Sequence, residues 1–326
     1  MLLNKYKETY YQALTDMLWR QWVAIGIAGY APETKTTYTA DPEALLIFTA
    51  RFARHNQRLY DLIPEWLKQY GSLINLHRLK TLLAKSQWKD TQSLLLLLTY
   101  ASAPGEKRWH KLITTQHTPG PATPLFIDPA TASPLFTPTQ DPTALTLGFL
   151  RPPYTPASKI TTTLPVTPAT HLLRLRAHYG TTARAEIILA LLNTPTCSVQ
   201  ELTRVCSFSW GVISSVIAEL TCGGIITPMP GVGTRKTYTL TEPAKIKQLI
   251  SASSIQYPDW PAIFDTLGKT WTTISNPRLA TLSEPTIHHE ISRCISDTHR
   301  ARLLKSNILQ LRNLTPDTLL QLPSCL

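Results

Sequence analysis

Residues Ser209–Leu240 read SWGVISSVIAELTCGGIITPMPGVGTRKTYTL. Ser209 is a cap residue. Behind it, Val212, Ile213, Val216, Ile217 and Leu220 recur at the spacing of one buried helix face. Gly223-Gly224 supplies a helix stop. Ile225–Thr227 then reads as a strand and Pro228–Gly233 as a loop. Arg235–Leu240 reads as a second strand, with Thr237, Tyr238, Thr239 and Leu240 alternating. One feature is at odds with the rest of the chain. Between Arg204 and Arg235 there is no Lys or Arg, although the protein carries a net charge of +11.

Upstream, the signals continue. THLLRLRAHYG predicts a helix ending at Gly180. TTARAEIILALLNT predicts the next, capped by Thr182, with Ala185, Ile188, Leu189 and Leu192 as its apolar stripe. Ser198-Val-Gln-Glu201 is a capping box that opens a short helix to Val205, and Cys206-Ser-Phe is the turn before Ser209. The expected order is therefore helix, short helix, helix and a two-stranded wing.

On these residues the segment 180–241 resembles the winged helix-turn-helix of small bacterial transcription regulators of the MarR-like and ArsR-like families. The matching features are the S-V-x-E-L second helix, the S-x-x-x-V/I-S-x-x-I-x-x-L third helix, the G-I-I strand and the G-x-G-x-R-K-x-Y-x-L wing. The resemblance implies binding of double-stranded DNA. It puts Ser209, Trp210, Gly211, Ser214, Ser215 and Ala218 on the groove-facing side of a recognition helix, Arg235 and Lys236 in the wing, and Arg204 beside the turn. This sequence departs from the pattern by having no Lys or Arg on that helix face. More weakly, WRQWVAIGIAGY, DPEALLIFTARFAR and FLRPPYTPASK resemble regulator-like bacterial proteins in which a helical N-terminal domain precedes such a segment. Some of these are associated with antitoxins paired with nucleotidyltransferase-type toxins.

Phosphate contacts by Lys and Arg supply most of the non-specific affinity for DNA. The candidates are Arg174, Arg176, Arg184, Arg204, Arg235 and Lys236, none of them on the recognition helix. Base readout would rest on Ser hydroxyls and Trp210, without a bidentate Arg–guanine contact. Two readings stay open: a transcriptional regulator acting through a winged helix, or an antitoxin-like interaction module that holds a protein partner.

The remaining sequence is mainly α-helical. A periodic helix is expected over Lys5–Ala24. Asp41-Pro-Glu is the clearest helix start in the chain: a cap, a first-turn proline and a dipole-matching acid. Further helices follow at Asp61–Tyr70, from Leu73 to Lys85 and at Gln92–Tyr100. Prolines every few residues exclude a long helix over 101–168. That connector is expected to be extended and pinned by Leu125, Phe126, Leu135, Phe136, Leu147, Phe149 and Leu150. Asp259–Ile274 is a Trp-containing helix. Glu284–Leu314 is expected as one long helix with an Ile287/Ile291/Ile295/Leu303/Leu304/Ile308/Leu311 stripe, to be packed on the winged helix or to dimerise. The resulting division is a helical domain at 1–100, a Pro-rich connector at 101–169, a winged-helix domain at 170–250 and a C-terminal helical extension at 251–326.

Composition narrows the function classes. Net charge is +4, +2, +4 and +1 over residues 1–100, 101–170, 171–250 and 251–326, so no single tail holds it. A pI near 9.5 favours an acidic partner. Five cysteines without a C-x-x-C pair argue against a disulfide framework and against zinc, and fit a reducing, cytoplasmic compartment; that the protein is prokaryotic is what the resemblance implies. The N-terminal MLLNKYKETYYQ has no apolar core of a signal peptide, and the most apolar run, Leu94–Leu98, is too short to span a bilayer. No catalytic motif is found. His288-His289-Glu290 are adjacent and point apart on a helix, and the glycines at 231 and 233 lack the context of a phosphate loop. Neither an enzyme nor a cofactor is expected.

Overall fold

The structure, a computed structural model, describes residues 2–30, 35–102, 107–116, 120–230, 236–304 and 315–326. It is mainly helical. The first helices are α1 (Leu2–Ala24), α2 (Pro42–Phe52), α3 (Gln57–Tyr70), α4 (Leu76–Lys85) and α5 (Thr91–Ala101). Asp41 caps α2 by accepting from the Ala44 amide at 3.0 Å, Asn75 caps α4 and Asp90 caps α5. The chain then runs through the short α6 (His110–Gln116) and α7 (Pro142–Thr146) and a parallel pair, β1 (Thr123–Pro124) beside β2 (Phe149–Leu150).

Leu125, Phe126, Leu147 and Phe149 are buried and fix this proline-rich stretch to the helices, as expected of an extended segment with apolar anchors. Leu135 and Phe136 are not anchors. Phe136 is 77% exposed, on the far side of the turn that Asp128 closes by accepting from the Ala130 and Thr131 amides.

Residues 171–250 build a second core. Helices α8 (His171–Tyr179), α9 (Ala183–Asn193), α10 (Val199–Cys206) and α11 (Trp210–Cys222) surround it, with α12 (Pro243–Leu249) closing the segment. Gly180 and Gly224 adopt φ of +82° and +69°, conformations that favour glycine after a helix end. The capping box at Ser198 forms as expected, with Glu201 reaching back to the Ser198 amide at 2.8 Å. The sheet has three strands, not two: β3 (Cys197–Ser198), β5 (Lys236–Leu240) and β4 (Ile226–Pro230), in that order and antiparallel. β4 continues through Pro228 and Pro230, where a loop was expected. It is an edge strand, and an edge tolerates residues without an N–H. The β3 residues were hidden in sequence because they are only two, directly before a helix start.

The chain then returns to the first core. α13 (Trp260–Ile274) packs on α1 and α2, and α16 (Pro316–Cys325) packs on α1. Buried Trp22, Trp66 and Trp260 each donate their indole N–H, to Thr49 Oγ1, Ile25 O and Thr39 O at 3.0, 2.8 and 2.7 Å. The expected long helix after Ser283 is broken into α14 (Glu284–Arg293) and α15 (Asp297–Leu304), because Ser296 starts a new helix. Ile287, Ile291, Ile295 and Leu303 lie inside the first core, so these four residues do not pack on residues 171–250. Leu304 is exposed, and Ile308 and Leu311 lie outside the described residues. Among the described residues no single helix is long and apolar enough to cross a membrane.

Candidate nucleic-acid interface

α11 touches α9, α10 and β4, all within its own core. Ile213, Val216, Ile217 and Leu220 face inward, and Trp210, Gly211, Val212, Ser215, Ala218, Glu219 and Cys222 face solvent. Ser209 caps the helix through the Val212 amide at 3.4 Å. Trp210 is 65% exposed, far above any other tryptophan in the chain. Of the residues expected on this face, Ser209, Trp210, Gly211, Ser215 and Ala218 are brought together there. Ser214 is half-buried with its hydroxyl enclosed and is turned away from the outer face.

Of the basic residues, two are held by carboxylates, Arg176 in the interior and Arg184 at the surface. Arg184, on α9, forms an ion pair with Glu219, the only charge on the α11 face, and both remain about half-exposed. Arg176 is fully buried and unavailable to a phosphate. Arg174 is half-buried with Nη1 enclosed. Arg204 is exposed on α10 but lines a cleft shared with Pro261 and Arg302 of the other core. Lys236 is exposed at the start of β5, and Arg235 lies outside the described residues. Among the described residues the α11 face around Trp210 carries no Lys or Arg of its own.

One of the expected cations, Arg176, lies instead at the junction of the two cores, together with Arg78. Arg78 Nη1 donates to Glu43 Oε2 at 2.7 Å and to Asp41 Oδ1 at 2.6 Å, and Nη2 donates to Asp41 Oδ2 at 2.5 Å. Arg176 bridges Glu43 and Glu186, with Nη1 to Glu43 Oε1 at 2.6 Å and Nη2 to Glu186 Oε1 at 2.6 Å. Arg78 Nε also donates to the Cys206 carbonyl at 3.1 Å, and the Tyr257 hydroxyl donates to Asp41 at 3.0 Å. The cluster therefore ties α2 and α4 of one core to α8, α9 and the end of α10 of the other. Burial pushes the Asp41 carboxyl up, but the Arg78 guanidinium outweighs it and holds the carboxyl below its usual range. Burial wins at Glu186, whose carboxyl is raised despite Arg176. Three carboxyls against two guanidiniums explain that inequality. Glu186 Oε2 is also the oxygen of the cluster that has no hydrogen-bond donor.

Sequence reasoning took Asp41 and Glu43 as helix-start residues and missed Arg78, Arg176 and Glu186 as one group. The signal available was Glu186 itself, a carboxylate inside the apolar run AEIILALL. A charge at such a position requires a buried partner.

The His288-His289-Glu290 run does not assemble a site. His288 meets the Tyr6 hydroxyl at 3.1 Å, and Glu290 lies 3.9 Å from Arg293. All five cysteines are unpaired, and burial raises the thiols of Cys197, to about 11, and of Cys206. Among the described residues no group of three His, Cys, Asp or Glu is placed to hold a metal ion. No protein-family model, no curated protein and no solved structure matches this chain.

Proposed function

We propose that residues 171–240 form a winged helix and that the protein binds double-stranded DNA through the outer face of α11, in transcriptional regulation. The observation that carries this reading is the combination of element order and exposure. Three helices and a three-stranded antiparallel sheet hold one further helix face open, and that face is lined by Gly211, Ser215 and Ala218. Small side chains let a helix approach the floor of the major groove, about 12 Å wide. Lys236, expected in the wing, is exposed.

Few cations are free to reach phosphate, so binding is weak and its salt dependence shallow. Two or three phosphate contacts give a slope of about −2 to −3 in log affinity against log salt. The test is fluorescence anisotropy of the full chain with random-sequence duplex DNA between about 50 and 200 mM salt, beside Lys236→Ala. Binding with that slope, reduced by about one in the variant, supports the reading. No binding at the lowest salt removes it.

A second reading is favoured by Trp210. This exposed indole lies beside exposed Val212 and within a few residues of exposed Val205, the composition of a protein-contact anchor rather than of a phosphate-facing surface. On this reading α11 holds a protein partner and the uncharged face is its contact surface.

A further inference from the structure

We propose that the cleft between the two cores is a binding site for a small aromatic anion, a planar ring carrying one phosphate or carboxylate group. The cleft has a volume of about 300 Å³, at the lower end of small-molecule sites. Its floor is aromatic: Phe48 stacks on Phe264 with centroids 4.9 Å apart, and Phe48 lies 6.0 Å from Trp88.

Its charged lining is three cations and one carboxylate. Lys85, at the end of α4, and Arg204, on α10, both line it, and neither has an acceptor among the described residues. Trp88 lines it as well and is buried, with its indole N–H enclosed and without an acceptor among the described residues. The third cation, Arg302, is already held by Asp259 at 2.7 Å. The one carboxylate in the lining, Asp265, has its Oδ1 occupied, accepting from Ser86 Oγ and from the Gln87 and Trp88 amides at 2.9, 3.1 and 3.1 Å, while Oδ2 lies 3.9 Å from His299 Nε2. What stays unmet is two cations, Lys85 and Arg204, above an apolar floor. That set fits an anionic group attached to a flat ring and repels a cation.

The placement gives such a ligand a consequence. Arg204 and Ser207 belong to the core of residues 171–250, whereas Lys85, Trp88 and Phe264 belong to the other. A smaller adjoining cavity shares Arg204, Ser207 and Arg302 and reaches Asp41 and Tyr257 of the buried ion cluster. A ligand here spans both cores beside the cluster that joins them, and it stabilises their present arrangement. The inference does not depend on DNA binding.

Isothermal titration of the full chain tests it, with AMP, GMP, CMP, UMP and benzoate as probes and with adenosine and inorganic phosphate as the half-ligands. The nucleotides and benzoate separate a phosphate from a carboxylate preference. We expect at least one of the five anions to bind with a Kd below about 1 mM, and its half-ligands to bind at least tenfold more weakly. Arg204→Gln and Lys85→Gln should each weaken binding by at least about tenfold. Arg278→Gln, which lies outside the cleft, should leave it unchanged. Thermal melting of each variant confirms that it folds. The proposal is overturned if none of the five binds below about 1 mM, or if a folded Arg204→Gln, Lys85→Gln double variant binds as the wild type does.

Discussion

The junction between the cores and the outer face of α11 use charge in opposite ways. At the junction, two guanidiniums and three carboxyls are withdrawn from water and hold four helices together. On α11, the face expected to meet DNA carries one carboxylate, and Arg184 already pairs with it. A count of basic residues over 171–250 therefore overstates what a phosphate can touch. Of its cations, Arg176 is spent on assembly and Arg184 on the neutralisation of a neighbour.

The largest expected effect comes from breaking the junction. Arg176→Met leaves Glu43 and Glu186 without their shared partner, and loss of one member of a buried pair costs about 3–5 kcal/mol. The double variant Arg176→Met/Glu186→Met should cost clearly less. Glu43 keeps Arg78 and the Asn75 amide at 2.7 Å, and no orphaned carboxylate remains on α9. Urea denaturation of both variants decides this. Equal losses would mean that the cluster acts through packing rather than through charge balance.

That asymmetry also explains what the sequence made legible. Local rules act over a few residues, and they found α2 with its Asp41 cap, the Ser198 capping box, the Ser209 cap and the ends at Gly180 and Gly224. The mainly helical class and the exposure of Trp210, Gly211 and Ser215 follow from the same periodicity. The junction joins residues 41, 43, 78, 176 and 186, which no local rule connects. The same holds for the cleft, where Lys85 and Arg204 meet from different cores. Leu135 and Phe136 failed as anchors because an apolar pair in a proline-rich segment does not reveal which side of the chain meets the core. The break after Arg293 was missed because apolar spacing runs on from Ile291 through Ile295 across it.

A second titration sharpens the contrast, because the junction has a neutral counterpart nearby. His171, at the start of α8, is buried with Nδ1 3.2 Å from Thr39 Oγ1. Burial, with the Arg174 charge adding to it, lowers its pKa from 6.5 to about 4. The folded state thus favours the neutral ring, and the unfolded chain binds the extra proton between these values. Stability from this group is complete above about pH 6.5 and is lost as pH falls toward 4. Glu186 has the opposite sign: its raised carboxyl makes stability fall as pH rises through its folded value. Comparison of wild type with His171→Gln isolates the histidine. The variant's unfolding free energy should lose the rise between pH 4 and 6.5, a difference of at most about 3 kcal/mol at about 1.36 kcal/mol per pH unit, read by urea denaturation across that range. Parallel curves for the two proteins would show that His171 does not titrate differently on folding.

The smallest expected change in stability tests the α11 face most directly. Glu219→Gln breaks a half-exposed ion pair, so unfolding should shift by no more than about 0.5 kcal/mol. Binding should respond much more. The substitution removes the one negative charge from the face and releases Arg184 toward solvent. If DNA lies against α11, one additional cation reaches phosphate, and the salt slope steepens by about 0.9. Affinity then rises at low salt, and its fall between 50 and 200 mM salt grows about threefold. Trp210→Ser, measured alongside, separates the two readings of the face. A protein-contact surface loses its anchor with Trp210 and is indifferent to Glu219→Gln in any DNA titration. A groove-facing helix gains from Glu219→Gln and keeps most of its affinity without the indole, because its binding rests on the approach that Gly211, Ser215 and Ala218 permit.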